Sequence, residues 1–235
     1  MTNVYAALEI GTSRTVLAVA TATPGERLRI ASFAQIPSSG VRKSSITNMN
    51  HARHSVSSVL NEIERQQAKN DVSLSISNAF LLVNGAHVKA DPFQATVPVE
   101  GSKVKESDIE NVMAAARAWP LPRERELLDI VDQTYALDTH GGISEVRGMS
   151  GRVLKLNTLQ IHADHNRIDD AKTAAAAAHL DIREPLCALT CAGDAALTER
   201  DKRDGVLLID FGGGSTGFAV YADGYLATAD IFAVG

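Results

Sequence analysis

Cysteine is scarce in this sequence, with only Cys187 and Cys191 in 235 residues. Four apart, they share one face if that segment is helical, and they read as a buried, reduced pair in place of a metal or redox site. Long basic runs are also missing. Lys and Arg number 23 against 28 Asp and Glu, a formal charge of −5, and no stretch could neutralise successive phosphates, so nucleic acid is not an expected partner. No window approaches the ~18 apolar residues of a spanning helix, and Met1 to Arg14 lacks a basic region ahead of an apolar one. The expectation is a cytosolic chain. What is present, 45% apolar and 22% charged residues, is the make-up of a soluble globular protein of one large domain or two small ones.

Val4 to Ile10, Thr15 to Ala22 and Leu28 to Ile36 read as a meander of strands, with Thr23-Pro24-Gly25-Glu26 turning the last pair. Val56, Val59, Leu60 and Ile63 then recur at helical spacing within a helix from Asn50 to about Lys69. The apolar run Phe80 to Val83 reads as a strand buried on both faces and ends at Asn84-Gly85. Past Gly85 come alternating strands and a helix opened by Ser107 to Glu110, a serine and a glutamate at capping-box spacing. Strands at Leu127 to Leu137 and Leu154 to His162 follow, so residues 85–164 read as an inserted subdomain. Asn166 to His179, with five consecutive alanines, predicts a helix, which leads through Asp181 to Leu186 into a second helix at Ala188 to Thr198. The charged loop Glu199 to Asp204 marks a lobe boundary, and strands follow at Val206 to Asp210, Ser215 to Tyr221 and Tyr225 to Phe232.

Two distant segments share one plan. Leu8-Glu9-Ile10-Gly11-Thr12-Ser13-Arg14-Thr15 and Ile209-Asp210-Phe211-Gly212-Gly213-Gly214-Ser215-Thr216 each run strand, acid, glycine turn, hydroxyl residues, strand, and each continues into a further strand. A whole three-strand unit is therefore duplicated. A glycine turn between strands lets backbone N–H groups converge on a phosphate, and a neighbouring hydroxyl adds a donor. An acid at the strand end repels phosphate but can hold Mg²⁺, which offsets both charges. Three successive glycines exceed what a hairpin needs, which points to the close approach of a ligand.

At these residues the chain resembles the actin, sugar-kinase and heat-shock-chaperone superfamily, and within it the FtsA family of bacterial actin-like cell-division proteins. Leu8 to Ser13 resembles that family's opening motif, and the insertion after Val83-Asn84-Gly85-Ala86-His87 sits where the family carries its subdomain 1C. Glu106 to Ala116, Gln133 to Asp138 and Val146 to Gly151 also look like FtsA segments. The resemblance implies an α/β actin-like (ribonuclease H-like) fold, a mixed sheet with helices interrupted by a small α+β subdomain. Lobe one would comprise residues 1–84 and 165–204, the inserted subdomain 85–164, and an incomplete lobe two 205–235. ATP and Mg²⁺ would be bound, with Gly11, Thr12, Ser13, Arg14, Gly212, Gly213, Gly214, Ser215 and Thr216 on the phosphates and Asp210 and Glu9 at the metal. The implied partners are FtsZ, later division proteins and further copies of the chain in filaments, on the inner face of the cell membrane at the division site.

Two positions depart from the family pattern. Glu9 stands where Asp is usual, its extra methylene carrying the carboxylate about 1.5 Å further. Arg14 stands where Lys is common, which keeps the charge but spreads it over a planar fork. The sequence ends at Gly235, before the part of lobe two that in the family supplies the adenosine pocket, the main FtsZ contact and the membrane helix. The expectation is a piece cut within lobe two, or else a short paralogue. No base for an attacking water stands out, so any ATPase activity would be slow. The alternative is an interaction or adaptor module working through residues 85–164 with weak or no nucleotide binding, whereas the FtsA-like insertion argues against a sugar or acetate kinase. His162, His165, His51 and His54 read as satisfied or surface histidines, Gly148 to Gly151 precedes a strand and so is no hydrolase elbow, and Ser38 to Ser45 reads as a solvated loop.

Overall fold

The computed structural model describes residues 2–71 and 74–235. It opens with the meander β1 (Asn3–Ile10), β2 (Arg14–Ala22) and β3 (Arg29–Pro37), followed by the two-residue strands β4 (Val41–Arg42) and β5 (Ser45–Ile46) and by α1 (Met49–Lys69). Next come β6 (Asn78–Val83), β7 (Lys89–Pro98), α2 (Glu106–Arg117), β8 (Arg125–Leu137), β9 (His140–Ile143) and β10 (Val153–Asp164). The chain closes with α3 (His165–Ala176), β11 (Asp181–Cys187), α4 (Ala188–Ala196), α5 (Glu199–Asp204), β12 (Val206–Phe211), β13 (Thr216–Ala222) and β14 (Tyr225–Phe232).

The main sheet has the order β11-β6-β1-β2-β3. Its meander pairs antiparallel, while β6 joins β1 and β11 joins β6 in parallel. Parallel neighbours need crossovers, which α1 and α3 take part in. Period-two alternation sends Ala6, Leu8, Leu17, Val19 and Ala34 into one face. There they meet Ala52, Val56, Val59 and Ile63, a stripe at helical spacing along α1. Asn48 caps that helix by accepting from the His51 amide at 3.1 Å.

Residues between β6 and α3 build a second sheet, β7-β10-β8-β9, with α2 on it. Strand β10 runs through both cores: Leu154 and Leu156 pack with Val112 and Ile109 of α2, whereas Leu159, Ile161 and Ala163 join the first core. The third sheet, β12-β13-β14, repeats the meander of β1 to β3.

Five local expectations change. Residues 181–187, read as a connection, form a strand, because the parallel ladder to β6 overrides Pro185 and the charged residues, and an edge position tolerates a proline. Glu199 to Asp204, read as a loop, is a short helix: Thr198 accepts from the Asp201 amide at 3.2 Å, Asp201 accepts from the Thr198 amide at 2.9 Å, and Gly205 ends it at φ +95°. The opening of α2 is held by Asp108 in place of the Ser107–Glu110 pair. The buried Asp108 carboxylate accepts from the amides of Lys105 at 2.8 Å and Glu100 at 3.0 Å, and these bonds hold its pKa below the usual carboxylate value. The alanine-rich helix stops at Ala176, three residues before His179 takes up φ +57°. Finally, the supposed loop at residues 38–45 contains β4 and the start of β5.

Candidate functional site at the facing turns

The repeat is exact to the hydrogen bond. Gly11 N–H donates to the Arg14 carbonyl at 3.0 Å, and Gly212 N–H donates to the Ser215 carbonyl at 2.9 Å. Strand register matches as well, Ile10 opposite Thr15 and Phe211 opposite Thr216. Glu9 and Asp210 are thus equivalent residues, each one position before the last residue of its strand. At both turns a side chain on the first glycine would begin 2.9 Å from the carbonyl that its own amide bonds, so only glycine closes the turn without strain.

The two turns meet. A side chain on Gly213 would begin 2.8 Å from Ser13 Cβ, and one on Gly214 would begin 2.5 Å from Thr12 Oγ1. The glycines expected to admit a ligand here admit the opposite turn. Around this contact opens a cavity of about 710 Å³, lined by Glu9, Gly11 to Arg14, Asp210 and Gly212 to Ser215, with Phe80, Leu82, Leu186 and α4 residues forming an apolar floor. The carboxyl ends of the parallel strands β1, β6 and β11 converge on it, the usual location of a ligand in an open α/β sheet.

Of the expected site residues, Gly11, Thr12, Ser13, Arg14, Gly212, Gly213, Gly214, Ser215, Glu9 and Asp210 all line this cavity. Thr216 does not line it, its hydroxyl donating instead to the Val234 carbonyl at 2.7 Å. Arg14 reaches back along the sheet to the Gln35 side chain at 3.1 Å. Glu9 has its pKa raised by burial first and by the charge of Asp210 second, with Arg14 opposing. Two acids that repel across a cavity form a donor set that a divalent cation would relieve.

Two further residues belong to the site. Asn84, just past β6, donates to the Asp210 carboxylate at 3.2 Å and accepts from Gly85 N–H at 2.8 Å, a turn that Gly85 permits at φ +116°. Its position at a parallel-strand end was the signal that could have found it. Ser44 bonds both turns: its amide donates to Thr12 Oγ1 at 2.8 Å, and its hydroxyl lies 3.2 Å from that of Ser215. Sequence offered nothing to single it out among the seven serines of residues 38–58.

Elsewhere, Cys187 is buried and Cys191 half-buried, both free, and burial pushes the Cys191 thiol up to about 11. His162 is held between Arg125 at 2.8 Å and Asp91 at 2.9 Å, and His165 bonds Glu126 at 2.9 Å. Among the described residues no group of three or more His, Cys, Asp or Glu side chains could hold a metal ion by itself, and no helix is long and apolar enough to cross a membrane.

Comparison with known proteins bears on this arrangement. A family model described as the SHS2 domain inserted in FtsA matches residues 85–162. The cell division protein FtsA of Bacillus subtilis is 28% identical over 98% of this chain, and that of Neisseria meningitidis 27% identical over 97%. The chain is FtsA-like. It spans about half the length of these curated relatives, 52% and 54% respectively. Among solved structures, the PilM-PilN type IV pilus biogenesis complex aligns with a TM-score of 0.61 at 19% identity, covering 97% of this chain and 61% of that one. The fold of this FtsA-like chain is accordingly actin-like, a mixed α/β sheet with helices and the SHS2 domain inserted in it.

Proposed function

We propose that this chain is the phosphate-gripping part of an FtsA-like cell-division protein that binds ATP with Mg²⁺, polymerises on the inner face of the cell membrane and links the FtsZ ring to later division proteins. In this reading lobe one comprises residues 1–84 and 165–204, the inserted subdomain 85–164, and lobe two begins at residue 205. The observation that carries the proposal is the meeting of the two duplicated glycine turns across one cavity, Gly213 against Ser13 and Gly214 against Thr12.

The residues suit the ligand. Amides of the turns and the hydroxyls of Thr12, Ser13 and Ser215 supply donors for phosphate oxygens, and the apolar floor supplies a surface for a base. Glu9 and Asp210 would hold a hydrated Mg²⁺, which neutralises phosphate charge when bound. Asn84 fixes the Asp210 carboxylate in place. Because the turns touch, phosphate entry requires them to part, which suits an assembly that responds to nucleotide.

Calorimetry with Mg-ATP tests the reading. Binding at micromolar strength that Asp210→Ala abolishes is the expected result. Absence of heat at millimolar nucleotide would favour the other class, an adaptor whose contacts run through residues 85–164.

A further inference from the structure

The hairpin of β4 and β5 approaches the site from a third side, and neither repeat contains it. Its strands pair Val41 with Ile46 and Arg42 with Ser45. The two connecting residues, Lys43 and Ser44, have φ of +48° and +57°. A two-residue type I′ turn requires positive φ at both positions, but glycine and asparagine are the residues that adopt it cheaply. Lysine and serine there are strained, so the surroundings must hold them.

The surroundings are the site. Ser44 bonds Thr12 of one turn and Ser215 of the other, and its Cβ packs on Gly85, where any side chain would begin 2.6 Å away. Lys43 and Arg42 line a second cavity of about 360 Å³, which shares Thr12, Gly213 and Gly214 with the first as a common wall. Both bases are exposed, and among the described residues neither forms an ion pair. Glu9 and Asp210 face the first cavity together with Arg14, whereas the charged side chains lining the second are bases alone.

We propose that the hairpin tip, Lys43 and Ser44, is a third wall of the phosphate site and binds the terminal phosphate of a nucleoside triphosphate, which makes it the element that distinguishes triphosphate from diphosphate. The proposal rests on the nucleotide reading above. When the turns part, Ser44 loses its bond to Ser215 and its hydroxyl becomes a donor for phosphate. Lys43, which shares a cavity wall with Thr12, Gly213 and Gly214, then supplies a cation to the same group. An ammonium on a phosphate oxygen is a charge-assisted bond, stronger than one from a neutral donor.

The test is calorimetric titration of Mg-ATP and Mg-ADP into the unmutated chain, Lys43→Ala and Ser44→Gly, with urea unfolding of each ligand-free variant alongside. Glycine at position 44 removes the hydroxyl while relieving the positive φ, so that variant is expected to fold at least as well. Lys43→Ala is expected to weaken ATP by about tenfold or more and ADP by less than about threefold, the loss of one charge-assisted contact to the terminal group. Ser44→Gly is expected to shift the same ratio in the same direction by a smaller factor. Equal weakening of both nucleotides, or no change in either, overturns the assignment while leaving the nucleotide reading standing. If the unmutated chain binds neither nucleotide, the nucleotide reading fails and this proposal fails with it.

Discussion

Glu9 is the residue at which ligand-free stability and ligand binding pull in opposite directions. In the unfolded chain its carboxyl titrates near 4.5, and in the fold burial and then Asp210 raise it, only partly opposed by Arg14. The sign follows from proton linkage. Below pH 4.5 the group is protonated in both states and contributes nothing. As pH rises from there through the raised folded value, ionisation favours the unfolded chain, and the cost is complete above it. Glu9→Gln is therefore expected to raise the melting temperature of the ligand-free protein at pH 7 and to leave it unchanged below the unfolded value. With Mg-ATP present the ranking should reverse, since a cation favours the ionised acid that glutamine cannot supply. Melting curves at the two pH values, with and without Mg-ATP, check both halves, and a gain that persists in acid would show that the burial account is wrong. The sequence made Glu9 legible because its chemistry is local: an acid, a glycine and hydroxyls in a row. It did not make Ser44 or Asn84 legible, because their roles depend on chain brought in from 32 and 126 residues away.

Among the elements, those with a strong internal period were readable in advance and those defined by a partner were not. The stripe Val56, Val59 and Ile63 specifies α1 whatever it packs on. In contrast β11, with a proline and charged residues, is a strand only because β6 lies beside it. The packing of α4 on β13 is similar. Helix α4 carries Gly193, where glycine is a poor helix former, and the reason is Tyr221 of β13: a side chain on Gly193 would overlap the Tyr221 hydroxyl and begin 2.8 Å from its Cζ. Tyr221 is buried and sits under the Lys202 ammonium at 5.5 Å, so it has little room to move. Gly193→Ala is expected to destabilise by about 1–3 kcal/mol through overpacking, against a helix-propensity gain of at most about 1 kcal/mol. Urea unfolding measures this directly. In a Tyr221→Phe background, which removes the nearest atom, the same substitution should cost less, and an equal cost in both backgrounds would place the glycine's role elsewhere.

At the scale of the whole molecule, duplication turns one half into a reference for the other. The shared register sets Leu207, Ile209 and Phe211 of β12 against Ala6, Leu8 and Ile10 of β1. In the main sheet this face lies under helices, and Ala6 and Leu8 are buried. In the third sheet the matching residues are exposed, Phe211 by 78%, and Phe232 beside them is half exposed and stacked on Phe218 at 5.9 Å. A contiguous apolar strip of this kind is an association surface. The 235-residue chain is therefore expected to bind a hydrophobic reporter dye while fully folded and to self-associate as concentration rises. Ile209→Ser combined with Phe211→Ser should abolish most of the dye signal and keep the chain monomeric in sedimentation, with stability changed by no more than about 1 kcal/mol per site because Ile209 is 46% and Phe211 78% exposed. A large fall in stability would mean the strip packs on something within the chain. An unchanged dye signal would locate the sticky surface elsewhere, the exposed Ile30 and Phe33 on edge strand β3 being the next place to substitute.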